Sequence, residues 1–302
     1  MRVRDALTRA GAALRRAGCA APALDAEVLL AHALGCDRAG LYSRPERALT
    51  AEEVALFRSL VGRRMQGEPV AYLTGCKEFM GLDFLVTPAV LIPRPETELM
   101  VEKALVLLQP LARPLVADVG TGSGAVAVSI AHRHPGVTVY ATDISAAALE
   151  VARANAQRHG VSGSIIFLAG DLLEPLPGEA EGKIDLICAN LPYVPSKDLP
   201  RLPREVQCEP RVALDGGPGG LELYRRLVPQ AARFLKPGGC LLMEIDPRQA
   251  RAAVSLVPPP TWKADVEQDL AGRDRLVIAE MRDRMPEATG RESEVGSGEK
   301  EG

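Results

Sequence analysis

The tetrapeptide Asn190-Leu191-Pro192-Tyr193 closes the apolar run KIDLICAN (183–190), which reads as a buried strand. In an open α/β sheet, ligands bind beyond the carboxyl ends of the strands, so this turn opens into a ligand crevice. Its residue types suit transfer of a methyl group to a planar NH2 group. Such a nitrogen is a poor nucleophile because its lone pair is delocalised. An Asn side-chain oxygen and a neighbouring backbone carbonyl can each accept one of its N–H bonds, which orients the nitrogen and favours positive charge developing on it. The face of Tyr193 can pack on the flat group and stabilise that charge. The plain alternative is an Asn-capped turn whose proline ends a strand.

A second cluster stands upstream. Asp118-Val119-Gly120-Thr121-Gly122-Ser123-Gly124 lies between the strand-like LVADV (115–119) and a helical stretch from Gly124 to His134. Glycines there permit a tight turn and close approach of a ligand to the backbone. About twenty residues on, Asp143 ends the strand-like VTVYATD (137–143), where a carboxylate can accept both hydroxyls of a ribose. Asp171 ends the next run, SIIFLAGD (164–171), where an adenine edge would lie. The spacing is G-x-G-x-G, not the G-x-G-x-x-G of dinucleotide binders. Together with the Asn190 turn, it favours S-adenosyl-L-methionine over NAD. A generic tight turn between strand and helix is the unspecific alternative.

These residues need a scaffold. Strands and helices alternate from Leu115 through the helix near Leu221 to Leu235 and the strand GCLLMEI (239–245). WKADVEQD (262–269) and RLVIAEM (275–281) form a closing antiparallel pair. The pattern predicts a mostly parallel sheet covered on both faces. Ahead of it, residues 1–70 read as helices: apolar positions recur at helical spacing from Leu7 to Ala17 and from Asp25 to Leu34, and Thr50 with Glu53 forms a capping box opening a helix to about Met65. Residues 70–86 alternate around Gly75 and Gly81 as a short hairpin. Pro88, Pro93 and Pro95 then punctuate a linker before a helix from about Thr97 to Leu108. Arg94, Glu96 and Glu98 either line the cleft or cap that helix. Trp262 and Phe234 read as core residues.

Composition closes off other classes. The 302 residues are 47% hydrophobic and 25% charged, the values of an ordinary globular protein. The net charge of -3 and the 4% aromatic content argue against stable nucleic-acid binding, which favours a basic surface and stacking rings. The scattered Cys19, Cys36, Cys76, Cys188, Cys208 and Cys240 show no metal-ligand spacing and read as reduced cytosolic thiols. His32, His132, His134 and His159 form no metal motif either, so no metal is expected. No apolar run is long enough to span a bilayer. The Arg-rich start lacks an apolar segment of a secretory signal, and Asp5 and the lack of a Ser-rich stretch favour a first domain helix over a transit peptide. A cytoplasmic monomer without membrane attachment is expected.

The order of motifs resembles the PrmC/HemK family, the N5-glutamine methyltransferases of peptide chain release factors. The likeness spans roughly residues 20–281. It is carried by YLTGCKEFMGLDFLVTPAVLIPRPETELMVEKAL (72–105) with its R-P-x-T-E at Arg94 to Glu98, by DVGTGSGAVAVSIA, Asp143, NLPYVP, EPRVALDGGPGGLELYRRL (209–227) and LKPGGCLLMEI (235–245). The resemblance implies a helical N-terminal domain (1–70) that recognises the release factor and a hairpin and interdomain linker (71–96). A Rossmann-like, seven-stranded, class I AdoMet-dependent methyltransferase domain (97–281) follows; beyond the resemblance, the polar tail rich in Gly and Glu (282–302) reads as disordered from its composition. The resemblance also implies that Gly120, Thr121, Gly122, Ser123 and Gly124 wrap the methionine portion of the cofactor. Asp143 would hold the ribose, Asp171 and Leu172 would border the adenine, and Asn190, Leu191, Pro192 and Tyr193 would hold the acceptor glutamine of the Gly-Gly-Gln loop in class 1 release factors, with Arg94 and Glu96 at the substrate cleft. The family usually has Asn-Pro-Pro-Tyr. Leu191 keeps the carbonyl of the first proline and loses its fixed φ. Glu244-Ile245-Asp246 also departs from the pattern, in which glycine commonly follows the Ile. Asn-Leu-Pro-Tyr is similar to the motif of rRNA adenine dimethyltransferases, so an N6-adenine methyltransferase acting on RNA or DNA is the alternative enzyme. A non-catalytic AdoMet-binding module is the third reading.

Overall fold

The computed structural model describes residues 1–282; the disorder expected of the tail falls, from residue 283 on, outside the described residues. The chain begins with helices α1 (Val3–Arg16), α2 (Pro22–Leu34), α3 (Arg38–Ser43), α4 (Ala51–Met65) and α5 (Val70–Thr74). Their apolar faces meet in one cluster around Leu14, Leu29, Leu30, Phe57 and Leu60. The capping box at α4 is present as expected: the Thr50 hydroxyl accepts the Glu53 N–H at 3.2 Å, and the Glu53 carboxylate accepts the Thr50 N–H at 2.9 Å.

Between Val70 and Val86 the structure departs from the sequence reading. The hairpin is confined to β1 (Cys76–Phe79) and β2 (Leu82–Leu85), while Tyr72 and Leu73 belong to α5. Pro69 opens that helical turn, and Gly75 ends it at φ 70°. Tyr72 is held there by burial and by donating its hydroxyl to the Val90 carbonyl at 2.6 Å. The alternation of apolar residues across the segment therefore arises from a helix end followed by a hairpin.

The main sheet is assembled from β3 (Leu115–Val119), β4 (Thr138–Asp143), β5 (Ile165–Ala169), β6 (Ile184–Ala189), β7 (Leu235–Glu244), β8 (Trp262–Gln268) and β9 (Asp274–Met281). These seven strands lie in the order β5-β4-β3-β6-β7-β9-β8. The first five strands in that order are parallel, and β9 runs antiparallel to β7 and β8, as expected of a closing hairpin. α6 (Glu98–Leu108), α7 (Ala125–Arg133), α8 (Ala146–Arg158), α9 (Arg204–Gln207), α10 (Glu222–Phe234) and α11 (Ala250–Val254) complete the chain.

Each strand serves two cores. Val116, Leu186, Cys188 and Leu242 face the α6–α7 layer, while Ala117, Val119, Ile187, Ala189, Leu241 and Met243 face α10. This is the period of two expected of strands buried on both sides. Phe234 and Trp262 are buried in the second layer. The strand expected at Gly239 begins at Leu235 instead, because Leu235 pairs with Ile184 ahead of an irregularity in the ladder. From β3 the chain runs outward to β4 and β5, then crosses back to β6 on the other side of β3 and runs outward the opposite way to β7. That switch point places the carboxyl ends of β3, β4 and β6 around one crevice.

Candidate active site

The turn after β3 is built from glycines in left-handed conformation, Gly120 at φ 72°, Gly122 at 55° and Gly124 at 80°. Only glycine adopts these values without steric cost. At Gly124 a side chain would also meet the Ala152 Cβ at 3.1 Å, so the third glycine lets α7 pack on α8. Beneath the turn, the buried Asp118 carboxylate accepts the Thr121 hydroxyl at 2.6 Å and the Ala127 N–H at 3.1 Å. Burial pushes its carboxyl up to about 6, against the pull of those two hydrogen bonds. Sequence reasoning gave Asp118 no role. Its signal was its place as the next-to-last residue of a strand, two residues before the first glycine.

Asp143 closes the turn from the next strand. One carboxylate oxygen accepts the Gly122 N–H at 2.9 Å and the other accepts the Ser145 N–H at 2.8 Å. Burial raises its pKa while these two bonds oppose the rise. Gly120 to Ser123, Asp143, Asp171, Leu172 and Asn190 all line one cavity of about 690 Å³. Its size and mainly apolar walls with a few polar groups are those of a small-molecule site. Asp171 is paired there with Arg226. Leu172 is buried and holds φ 51°, a strained value for a non-glycine residue, at the wall of the same cavity.

Asn190, Leu191 and Pro192 line this cavity and also a second one of about 480 Å³. Leu91, Arg94 and Ala213 are shared in the same way, so the cavities meet along one wall. The Asn190 amide donates to the Thr97 hydroxyl at 2.9 Å, which leaves its side-chain oxygen to accept. Leu191 buries its side chain, and a Cβ on Gly120 would come within 3.1 Å of it. Tyr193 lines the second cavity only. Its hydroxyl is directed at the Glu244 carboxylate, 3.5 Å away, and burial raises its pKa. Arg94 pairs with the buried Glu209, whose other oxygen accepts the Ile92 N–H at 3.0 Å. Glu96 lines neither cavity; its charge acts on Glu244. The cap alternative for the first turn of α6 is not realised by Glu98, whose carboxylate accepts the Met80 N–H at 2.8 Å.

A strap from the 209–227 motif supports the Asn190 turn. The Val194 N–H donates to the Leu214 carbonyl at 3.0 Å and the Gly216 N–H to the Val194 carbonyl at 2.9 Å. Gln249 donates to the Tyr193 carbonyl at 3.0 Å. A Cβ at Gly216 would lie 2.6 Å from the Pro192 carbonyl oxygen, so glycine is required by close approach. Below, the fully buried Tyr224 accepts the Leu191 N–H at 3.2 Å, and its hydroxyl lies 2.5 Å from the Glu244 carbonyl and 3.1 Å from that of Ala189. Glu244 is buried at the end of β7, and desolvation pushes its carboxyl up to about 7 against Thr97, Arg275 and Tyr193. Sequence reasoning gave Thr97, Tyr224 and Glu244 no role at the site, Glu244 being noted only for the Asp246 that follows Ile245; all three lie in segments that carried the family resemblance.

The arrangement can hold a cofactor against one face of the Asn190 turn and a flat amide-like group against the other. The family model "PrmC N-terminal domain" matches residues 5–75, and "Methyltransferase domain" matches residues 116–208. The release factor glutamine methyltransferase of Moorella thermoacetica is 47% identical over 94% of this chain and 100% of its own length. That of Geobacter sulfurreducens is 43% identical over 84% of this chain and 88% of its own. Among solved structures, the catalytic domain of hMettl16 in complex with MAT2A 3'UTR hairpin 6 shares the fold at a TM-score of 0.51, with 15% identity, over 72% of this chain and 83% of that one. With relatives this similar along nearly the whole chain, the protein belongs to the release factor glutamine methyltransferase family.

Proposed function

We propose that this protein transfers the methyl group of S-adenosyl-L-methionine to the side-chain amide nitrogen (N5) of the glutamine in the Gly-Gly-Gln motif of class 1 peptide chain release factors. The observation that carries this reading is the Asn190 turn, which forms the common wall of two cavities in a chain of this family. The larger cavity takes the cofactor: Gly120 to Ser123 against its methionine portion, with Gly124 behind them outside the lining, Asp143 at the ribose, Asp171 and Leu172 at the adenine. The fit rests on the glycine turn, which a Cβ would strain, and on the Asp143 carboxylate in the cavity's lining. When bound, the cofactor supplies an electrophilic methyl group on a sulfonium sulfur.

The smaller cavity takes the glutamine. The Asn190 side-chain oxygen and the Leu191 carbonyl accept its two N–H bonds, with Pro192 and Tyr193 shaping the pocket and Arg94 at its edge. Because the Asn190 NH2 is already committed to Thr97, the oxygen is the end presented. Two acceptors orient the nitrogen lone pair toward the methyl carbon and stabilise the positive charge that develops. The methylated nitrogen then loses a proton to water. The enzyme acts in the cytoplasm as a monomer and recognises protein, with its N-terminal helices docking the release factor. No helix of the described residues is long and apolar enough to cross a membrane.

The test is transfer of radiolabelled methyl to a purified release factor, with its Gly-Gly-Gln Gln→Ala variant and total RNA alongside. Label on the wild-type factor alone is expected, and Asn190→Ala should remove it while cofactor binding survives. Label on RNA would establish the adenine-directed reading instead.

A further inference from the structure

The residue at 191 has an N–H that a proline there would lack. In this chain that N–H is used: it donates to the Tyr224 hydroxyl at 3.2 Å. The hydroxyl is completely buried in α10 and has one hydrogen to give, which faces the Glu244 carbonyl at 2.5 Å and the Ala189 carbonyl at 3.1 Å. Tyr224 thus ties together the ends of β6 and β7, which are neighbouring parallel strands, and the peptide one residue beyond β6.

That peptide is the one between Asn190 and Leu191. A trans peptide is planar, so holding its N–H on the Tyr224 side sends the Asn190 carbonyl to the other. The same plane sets where the Leu191 carbonyl and the Asn190 side chain begin. Both are acceptors in the reading above. The Leu191 side chain adds a second anchor, since it is buried against Gly120. A leucine without these two anchors would leave φ at 191 adjustable at the point where the acceptor nitrogen must be aimed.

We infer that Tyr224 is a positioning residue for methyl transfer, its hydroxyl holding the Asn190–Leu191 peptide in place of the stiffness that a proline at 191 would supply. The inference rests on the glutamine-methyltransferase reading for its rate effect and on the structure alone for the held peptide.

The experiment is a double-mutant cycle between Tyr224→Phe and Leu191→Pro, measured at saturating cofactor with the release factor as acceptor. Tyr224→Phe alone should lower kcat about tenfold, the equivalent of one buried N–H left unpaired. Cofactor affinity by calorimetry should stay within about twofold, a change too small to reflect a lost hydrogen bond. In the Leu191→Pro background the same change should cost less than about twofold in kcat, because no N–H remains to be held. The melting temperature should fall in both backgrounds, since the Ala189 and Glu244 carbonyls lose their donor either way, so a merely structural role cannot reproduce the pattern. Equal losses of kcat in the two backgrounds, or none in the first, would overturn the inference.

Amide exchange at Leu191 provides a readout that needs no acceptor and no Leu191→Pro variant. Exchange should be slow in the wild type and at least about tenfold faster in Tyr224→Phe; unchanged exchange would overturn the inference. A wild type with a protected Leu191 that leaves every release factor unlabelled would refute the functional reading, and the held peptide would stand.

Discussion

The Asp143 carboxylate accepts the backbone N–H of Gly122 at 2.9 Å across the gap between two strand ends. The acid at the second strand is therefore part of the glycine turn as well as a wall of the larger cavity. Removing it should both loosen the turn and delete the group placed at the ribose. Asp143→Ala is expected to raise the dissociation constant for S-adenosylmethionine by at least about tenfold, the cost of one to two charged hydrogen bonds. Titration calorimetry would measure it, and an unchanged constant would reject the assignment.

Glu244 makes a prediction with a sign. Its folded-state pKa is about 7 against an ordinary 4.5, chiefly through burial; Thr97, Arg275 and Tyr193 pull it down and Glu96 pushes it up. A raised carboxyl favours the folded state most when neutral in both states, below about 4.5, and that advantage is lost as pH climbs to about 7. Glu244→Gln cannot ionise. Its stability relative to wild type should therefore rise between pH 5 and pH 8 by on the order of 3 kcal/mol. Urea denaturation of both proteins at the two pH values decides this; a gap independent of pH would contradict it.

Gly216 supports the Asn190 turn by closeness. A methyl group there would stand 2.6 Å from the carbonyl oxygens of Pro192 and Gly220 and 2.8 Å from the Tyr193 Cα, all backbone atoms that have no rotamer to give. Gly216→Ala should shift the turn by a fraction of an ångström and lower kcat about 100-fold, as small misplacements of aligned groups do. Turnover at saturating cofactor is the measurement. A fully active variant would show that the strap can move without consequence.

Arg64 joins the N-terminal helices to the segment beyond the Asn190 turn. Its side chain is buried, with Nε bonded to Asp25 at 2.8 Å and Nη2 to Glu205 at 2.6 Å. Arg64→Met leaves the buried Asp25 without its partner and should destabilise the protein by about 3 kcal/mol. The Asp25→Leu, Arg64→Met pair should recover most of that loss. Chemical unfolding of the three proteins tests both statements.

What could be read in the sequence and what could not divide along one physical line. Gly120, Asp143 and Asn190 were legible because each sits at a strand end, where local pattern reveals position and the parallel fold brings the ends together. The capping box at Thr50 was legible because both partners lie within one helical turn. Thr97, Tyr224 and Glu244 act through neighbours 93, 33 and 20 residues away, as Thr97 to Asn190, Tyr224 to Leu191 and Tyr224 to Glu244. No periodicity encodes such pairs. Tyr72 misled for a different reason: five residues of helix are too few for a 3.6-residue period to show beside a hairpin.

The common wall between the two cavities sorts the residues around it into a wiring plan. Asp143 borders the larger cavity alone, and Arg201 and Asp246 border the smaller alone, whereas Asn190, Leu191 and Pro192 border both. Change at a private residue reshapes one cavity. A shift of the partition's backbone moves a wall of both at once, and what one cavity gains in room the other loses.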